Sequence, residues 1–476
     1  MAERYDAVVV GGGPNGLSAA VTIARAGRSV LLLEAEPVVG GGTRSEELTL
    51  PGFVHDVCSA VHPLGVSSPF FATLPLARHG LRWIQPPIAL GHPLDDGSVV
   101  LVGRDVDATA ASLGPDAAAY RGLVGPLVRD WSAVIPDVLA PFHVPADPER
   151  LARLARFGTR AIRPAQWLVR RFRRPQARAV FAGCAAHSML RLGAPVTGAY
   201  GLLFLASAHA VGWPVAEGGS GRIGGALAGE LAALGGEIAT GRRVETIDAL
   251  PAHHAALFDV TPRQLLRIAG PRLAGRYRSR LERYRYGSGS FKLDLALDGP
   301  VPWRNPELVG AGTVHVGGTF EEIAGTEALV RRGRIPARPF VLVSQQSLFD
   351  PTRAPAGKQT LWAYCHVPND CAADMTEPIL RQIERFAPGF RDRILAIHRM
   401  SPADLEAHDA NLVGGDIGAG LQDLSQLFMR PAPRIDPYST PDPGIWICSA
   451  STPPGPGVHG MSGHLAAASA LRHRLR

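Results

Sequence analysis

Hydrophobic positions along the chain fall into short runs with two different periods. An apolar, β-branched run at 5–10 reads as a strand and enters Gly11-Gly12-Gly13-Pro14-Asn15-Gly16. Small residues over 17–26 then carry a helical pattern to Gly27, and a second apolar run at 29–33 ends in Glu34. Strand, helix and strand within about 30 residues make a βαβ unit. From 76 to 214 the pattern is mostly helical, with Pro- and Gly-rich loops. A helix at 223–233 passes through Gly235-Gly236 to an alternating stretch, 237–247, read as strands. Alternation returns at 291–297, 314–316, 339–343 and 361–367, which predicts a sheet laid down after residue 285. A strand at 444–448, a loop at 449–463 and a helix from Leu465 onward close the chain.

Composition narrows this picture. The 476 residues are 46% apolar and 19% charged, as expected of a globular chain of two or three domains. Cys58, Cys184, Cys365, Cys371 and Cys448 are odd in number and widely spaced, which argues against a disulfide framework and a zinc ribbon. The apolar run at 7–10 lies behind Glu3 and Asp6 and is too short for a secretory signal. A cytoplasmic protein is expected. The uncharged stretch 193–216 has bilayer length, but its Gly and Pro residues favour a buried helix instead. The net charge of +7 is local: from Arg150 to Arg178 there are ten Arg and no Asp or Glu, and without them the rest carries −3. This excludes a nucleic-acid reading based on overall basicity. The same segment has Leu151, Leu154 and Ala155 at helical spacing, which suits contact with the inner face of an anionic membrane. The competing readings are a solvated face and an interface in a homodimer.

The first loop carries the chemistry. Gly11-x-Gly13-x-x-Gly16 lies between strand and helix, with an acid closing the second strand. Gly11 permits the turn, Gly13 lets backbone approach a pyrophosphate, and Gly16 lets the helix pack on the sheet. The helix that starts at Pro14 and Asn15 presents amide N–H groups from Asn15 onward to phosphate, and Glu34-Ala35 meets the ribose. The second glycine loop, Gly40-Gly41-Gly42-Thr43-Arg44-Ser45, decides for FAD over NAD, because it sets an Arg where the flavin half of a longer cofactor would lie. Gly219-x-Gly221-x-x-Gly224 repeats the spacing behind a Pro-containing stretch, so it is read as a loop leading into a helix. Without a second nucleotide domain, oxygen, a quinone or the substrate would reoxidise the flavin.

These motifs, Gly218-Gly219, and the tail from Ser449 to Met461 resemble the phytoene desaturase group of FAD-dependent oxidoreductases, among them the bacterial relatives of pyridine nucleotide-disulfide oxidoreductase domain-containing protein 2. The resemblance implies an α/β fold: a discontinuous Rossmann-like FAD domain of the glutathione reductase/amine oxidase type, at 1–75, 215–270 and 430–476. A substrate or cap domain of mixed sheet plus helices would hold 76–214 and 271–429. It further implies that Val244 meets the adenine and that Ser451, Gly457, Val458, His459 and Met461 line the ribityl chain and ring, with the amides after Gly460 stabilising reduced flavin. Two stretches depart from the group, Thr452-Pro453-Pro454-Gly455 and Asp56-Val57-Cys58-Ser59.

Catalytic candidates are few. Lys292 resembles the flavin-facing lysine of amine oxidases. Trp362, Tyr364 and His366 share one strand face by period two, an aromatic wall with one titratable group. His62 is a further candidate beside substrate. No metal cluster or Ser-His-Asp order is found. The expectation is an FAD-dependent oxidoreductase of a hydrophobic small molecule, by desaturation, C–H oxidation or isomerisation. The alternatives are an amine oxidase and a flavin-binding interaction protein without turnover.

Overall fold

Two sheets organise the chain, and a period of two explains what each sheet faces. The computed structural model describes residues 4–475; residues 1–3, including Glu3, and residue 476 lie outside the described residues, at the ends of the two terminal segments assigned to the FAD domain. A five-stranded parallel sheet runs in the order Ile445–Ile447, Ala252–Phe258, Arg4–Val10, Val30–Leu33, Glu237–Ala239. Its strands come from three separate stretches of sequence. Ala7, Val9, Leu32 and Leu257 pack on one face against Pro14–Arg25, Gly221–Ala233 and Met461–His473. Val8, Val10, Leu31 and Phe258 pack on the other, against Pro262–Ala269 and Gly275–Glu282. Burial on both faces is what a parallel strand with continuous apolar sequence requires.

The second sheet has seven strands, in the order Ile394–Met400, Gly289–Leu297, Gln359–Val367, Val341–Ser344, Ala311–Val316, Ile88–Pro93, Val99–Val102. Phe291, Leu293, Leu361, Ala363 and Cys365 face the helix Thr376–Phe386. Lys292, Asp294, Trp362 and Tyr364 therefore face the other way. Trp362 and Tyr364 join an apolar cluster that includes residues of the helices Ala117–Arg129, Pro175–Ala186 and Thr197–Ala210.

Several expectations are corrected. The stretch 76–214 is not only helical, because Ile88–Pro93 and Val99–Val102 belong to the second sheet, anchored by the parallel pairing of Leu90 with Thr313. Of 237–247 only Glu237–Ala239 is strand. Beyond it Gly241 and Arg242 donate their amides to the carbonyls of Glu36 and Glu34, at 3.0 and 2.7 Å, so the chain wraps the sheet edge as a loop. The last helix starts at Met461, four residues early, because Gly460 sits at φ +67 before it. The uncharged stretch becomes the helix Thr197–Ala210, 14 residues with Leu202, Leu205 and Ala206 buried. At ~1.5 Å per residue it spans roughly 21 Å, less than the ~30 Å of a bilayer core. No helix among the described residues is long and apolar enough to cross a membrane.

Candidate functional site

Steric necessity explains the first glycine loop. Gly11 has φ +102, and a Cβ there would lie 2.8 Å from the carbonyl of Asp259. A Cβ on Gly16 would lie 1.9 Å from the Gly11 carbonyl, so only glycine lets the helix Pro14–Arg25 start against the strand end. Gly13 is the N-cap and supplies no side-chain acceptor for the helix amides. Instead Gly16 N–H donates to Asp259 Oδ2 at 2.8 Å. Glu34 accepts from Gly12 N–H at 2.6 Å and from Glu36 N–H at 2.8 Å. Each carboxylate oxygen keeps a lone pair for a ribose hydroxyl.

The second glycine loop folds back onto the first, where a Cβ on Gly41 would sit 3.1 Å from the Gly13 Cα. Arg44 is buried; its guanidinium donates to the His408 carbonyl and to Gly41 O at 3.2 Å, with Glu36 3.9 Å away. The repeated glycine pattern serves the same loop. A Cβ on Gly224 would lie 2.9 Å from the Gly40 Cα, so this helix is packed on the loop and is not a second nucleotide site. Two acids that sequence reading missed complete the region. Asp259 has its pKa raised to about 8 by burial foremost, although the Gly16 N–H opposes this, and by the nearby Asp409 and Glu34. Asp409 is raised too, mainly by burial. Asp259 could have been found by the logic that found Glu34, because it closes an apolar strand run at the same edge of the sheet.

At the far end, Lys292 pairs across the strands with Tyr364, and Asp294 with Trp362. Lys292 is buried and ion-paired with Asp294, with His55 Nδ1 3.6 Å from the other Asp294 oxygen. The Trp362 and Tyr364 rings meet at 4.9 Å and 68°, and Trp362 Nε1–H donates to the Cys58 carbonyl at 3.2 Å. Burial pushes the Tyr364 hydroxyl well above its usual range. His62 Nε2 lies 2.8 Å from Ser220 Oγ, and His459 Nδ1 accepts the Met461 amide at 3.1 Å. Burial lowers both imidazoles to about 4, so both are neutral near pH 7.

A single cavity of about 1360 Å³ joins the two ends. Gly11, Gly13, Pro14, Asn15, Glu34, Ala35, Gly41, Gly42, Thr43, Arg44 and Val244 line one part of it, and His62, Lys292, Trp362, Tyr364, Gly457, Val458 and His459 line another. Five expected residues do not line it. Gly16 and Ser45 do packing work, Ser45 by accepting from Gly221 N–H (3.0 Å) and donating to Asp56 (2.7 Å). Ser451 donates to the Ala419 carbonyl, and the buried Met461 has its amide taken by His459 instead of open to the cavity. His366 shares the face of Tyr364 as predicted, but the cavity wall is Tyr364; His366 lies behind it with Nδ1 2.8 Å from Glu327. The departure at Asp56 has a structural role, since its carboxylate forms a fully buried ion pair with Arg353.

The polar lining fits a dinucleotide. Asn15 Oδ1, His62 Nδ1 and His459 Nε2 are buried, without partners, on residues that line this one cavity. Buried polar atoms are rarely left so. The sequence family described as NAD(P)-binding Rossmann-like domain matches residues 9–74. The chain carries a Rossmann-like dinucleotide-binding fold. Pyridine nucleotide-disulfide oxidoreductase domain-containing protein 2 of Mus musculus is 26% identical over 98% of this chain and 93% of its own length. Among solved structures, an oxidoreductase from Methanosarcina mazei superposes with TM-score 0.66 at 17% identity, covering 98% of this chain and 99% of that one. Wild-type putrescine oxidase bound to putrescine gives 0.62 at 18%, covering 98% of each. At these identities the solved structures establish the fold: a Rossmann-like unit joined to a mixed sheet with helices.

Proposed function

We propose that the chain is an FAD-dependent oxidoreductase acting on an apolar small molecule, by desaturation, C–H oxidation or double-bond isomerisation. The supporting observation is the unbroken cavity from Gly13 and Glu34 to the wall of Lys292, Trp362 and Tyr364. A dinucleotide held at the start of the helix Pro14–Arg25 would have room for its second half in the same cavity, which reaches the second sheet. FAD is preferred because Arg44 flanks that path and, among the described residues, one parallel sheet serves one nucleotide. The cofactor-binding unit is then drawn from 1–75, 215–270 and 430–476.

Bound flavin supplies hydride acceptance from a C–H bond. The protein's own groups do the rest. The Gly11–Gly13 turn and the Asn15 backbone would hold the diphosphate, and the free lone pairs of Glu34 would hold a ribose. Asp294 fixes the Lys292 ammonium at the wall, keeping positive charge where negative charge would develop. Trp362 and Tyr364 exclude water, and Tyr364 keeps its proton. Neutral His62 and His459 offer lone pairs and no charge. With few polar groups at that wall, apolar shape selects the substrate. The likeness to putrescine oxidase and the position of Lys292 favour an amine oxidase as the second reading. The third is a flavin-binding protein without turnover.

Purified protein is expected to be yellow and to release FAD on heating. After anaerobic photoreduction, recovery of colour on adding air or a quinone identifies the acceptor. Colourless protein that takes up no FAD ends the proposal, and flavin that is never reduced by any apolar or amine substrate leaves the binding role.

A further inference from the structure

One side of the cavity opens to the surface, and its rim is apolar. Phe142, Val144 and Phe428 line the opening and are 75%, 69% and 47% exposed. Phe142 and Phe428 meet edge to face, with ring centroids 5.7 Å apart, so the loop before the helix Pro148–Ala161 converges with the helix Leu424–Met429. Leu151, Ala155 and Ile162 continue the rim at helical spacing, and Met429 beside Phe428 is 58% exposed. Ile162 is tied to the other side, because its carbonyl accepts from Val196 N–H at 3.0 Å and Val196 belongs to the cluster against which Leu427 packs. Exposed apolar residues scattered singly mean little, whereas a patch around a pocket marks a contact surface.

Beside this rim, arginines outnumber the carboxylates that pair with them. Part of the basic segment is neutralised: Arg150, Arg153, Arg156 and Arg178 pair with Asp137, Glu149, Asp130 and Glu321. Arg160, Arg163 and Arg171 have no carboxylate partner among the described residues. Arg160 donates to the Gly122 carbonyl and Arg171 to that of Leu168. They lie close enough that Arg171 has its pKa lowered, first by burial and then by Arg160 and Arg163. Exposed Arg163 directly follows Ile162. Trp167, 59% exposed, lies one turn on, with the Arg170 guanidinium 6.0 Å from its ring centre.

We propose that this rim docks on an anionic lipid bilayer, with Phe142, Val144 and Phe428 entering the acyl boundary and Arg160, Arg163 and Arg171 facing lipid phosphates. Apolar insertion combined with unpaired basic charge is the pairing such a surface needs. The apolar rim continues into the apolar wall of the cavity, so a lipophilic molecule passes from acyl chains to the site without crossing water. The inference stands on the rim and its charges, and holds whether or not a bound flavin turns over.

Vesicle flotation of the purified full chain tests it, with phosphatidylcholine alone against phosphatidylcholine mixed with phosphatidylglycerol. The chain is expected to float with the anionic vesicles, less so at raised salt. The double substitution Phe142→Ser, Phe428→Ser is expected to lower partitioning by about tenfold or more, from the apolar area it withdraws. Arg163→Glu is expected to weaken binding to the anionic vesicles alone. Unchanged circular dichroism and cofactor content keep the variants interpretable, since these side chains are exposed. A parent chain that ignores anionic vesicles, or a double variant that floats like the parent, overturns the proposal. So does light scattering that shows a parent dimer becoming monomeric in the double variant, which identifies a second copy as the occupant.

Discussion

Asp259 shows how a single residue takes its chemistry from its surroundings. Its pKa stands at about 8 against an ordinary 3.8, raised by burial first and by Asp409 and Glu34 after it. Above pH ~4 the unfolded chain releases this proton while the folded chain holds it, so the contribution to stability falls as pH rises from about 4 to about 8. Asp259→Asn keeps an acceptor for the Gly16 amide and removes the titration. Melting temperatures of the cofactor-free chain are expected to show the variant gaining on the parent between pH 5 and 8; parallel profiles would refute the assignment. Lys292 is the second residue with a test. The pair Lys292→Met, Asp294→Asn avoids stranding a buried charge, and reoxidation of reduced flavin by air is expected to slow by roughly tenfold to a hundredfold. An unchanged rate removes Lys292 from the chemistry. Gly11, Gly13, Glu34 and Arg44 were legible in the sequence because their meaning lies in spacing to near neighbours. Asp259 carried the same local signal, an acid closing an apolar strand run, and was passed over, whereas Asp409 carried none, since its neighbours Arg44 and Glu36 come from hundreds of residues away.

Between elements, close approach of backbones decides most of the packing. The helices Pro14–Arg25 and Met461–His473 meet at Gly463, where a Cβ would stand 1.8 Å from the Asn15 carbonyl. Gly463→Ala is expected to cost about 1–3 kcal/mol in chemical denaturation and to weaken cofactor retention, because the displaced turn is the one proposed to receive the diphosphate. A midpoint within error of the parent would show that the helices can part freely. The run at 5–10 announced its strand through β-branched content, that at 29–33 through an apolar run ending in Glu34, and those at 291–297 and 361–367 through alternation. The strands Ile88–Pro93 and Val99–Val102 did not, since they are stabilised by pairing with Ala311–Val316 and by each other. The stretch 240–247 alternates like a strand but finds no edge to pair with beyond Ala239, and so wraps Glu34 and Glu36 instead.

At the scale of the whole molecule, many buried histidines set the acid limit. His55, His62, His92, His209, His408, His459 and His464 are lowered to about 4, in each case by burial first. Each is neutral when folded and takes a proton when unfolded below its ordinary 6.5, so its contribution is present above that value and lost as pH falls toward 4. These histidines outnumber the carboxyls such as Asp259 that act in the opposite sense. Thermal unfolding is expected to drop steeply from pH 6.5 to 4, with uptake of several protons, by calorimetry over that range. A flat profile would contradict the burial of the group.

Sequence alone determined the βαβ start, the glycine turns, the acid that ends the second strand and the shared strand face of Trp362, Tyr364 and His366. These follow from steric and periodic rules that act over a few residues. Tertiary structure alone decided that Tyr364 and not His366 forms the wall, that Asp56 is spent on Arg353, and that the cavity mouth is rimmed by Phe142 and Phe428. Those outcomes depend on which distant strands pair and how deeply each group is buried, because burial sets both the shape of the cavity and the charge of the residues around it.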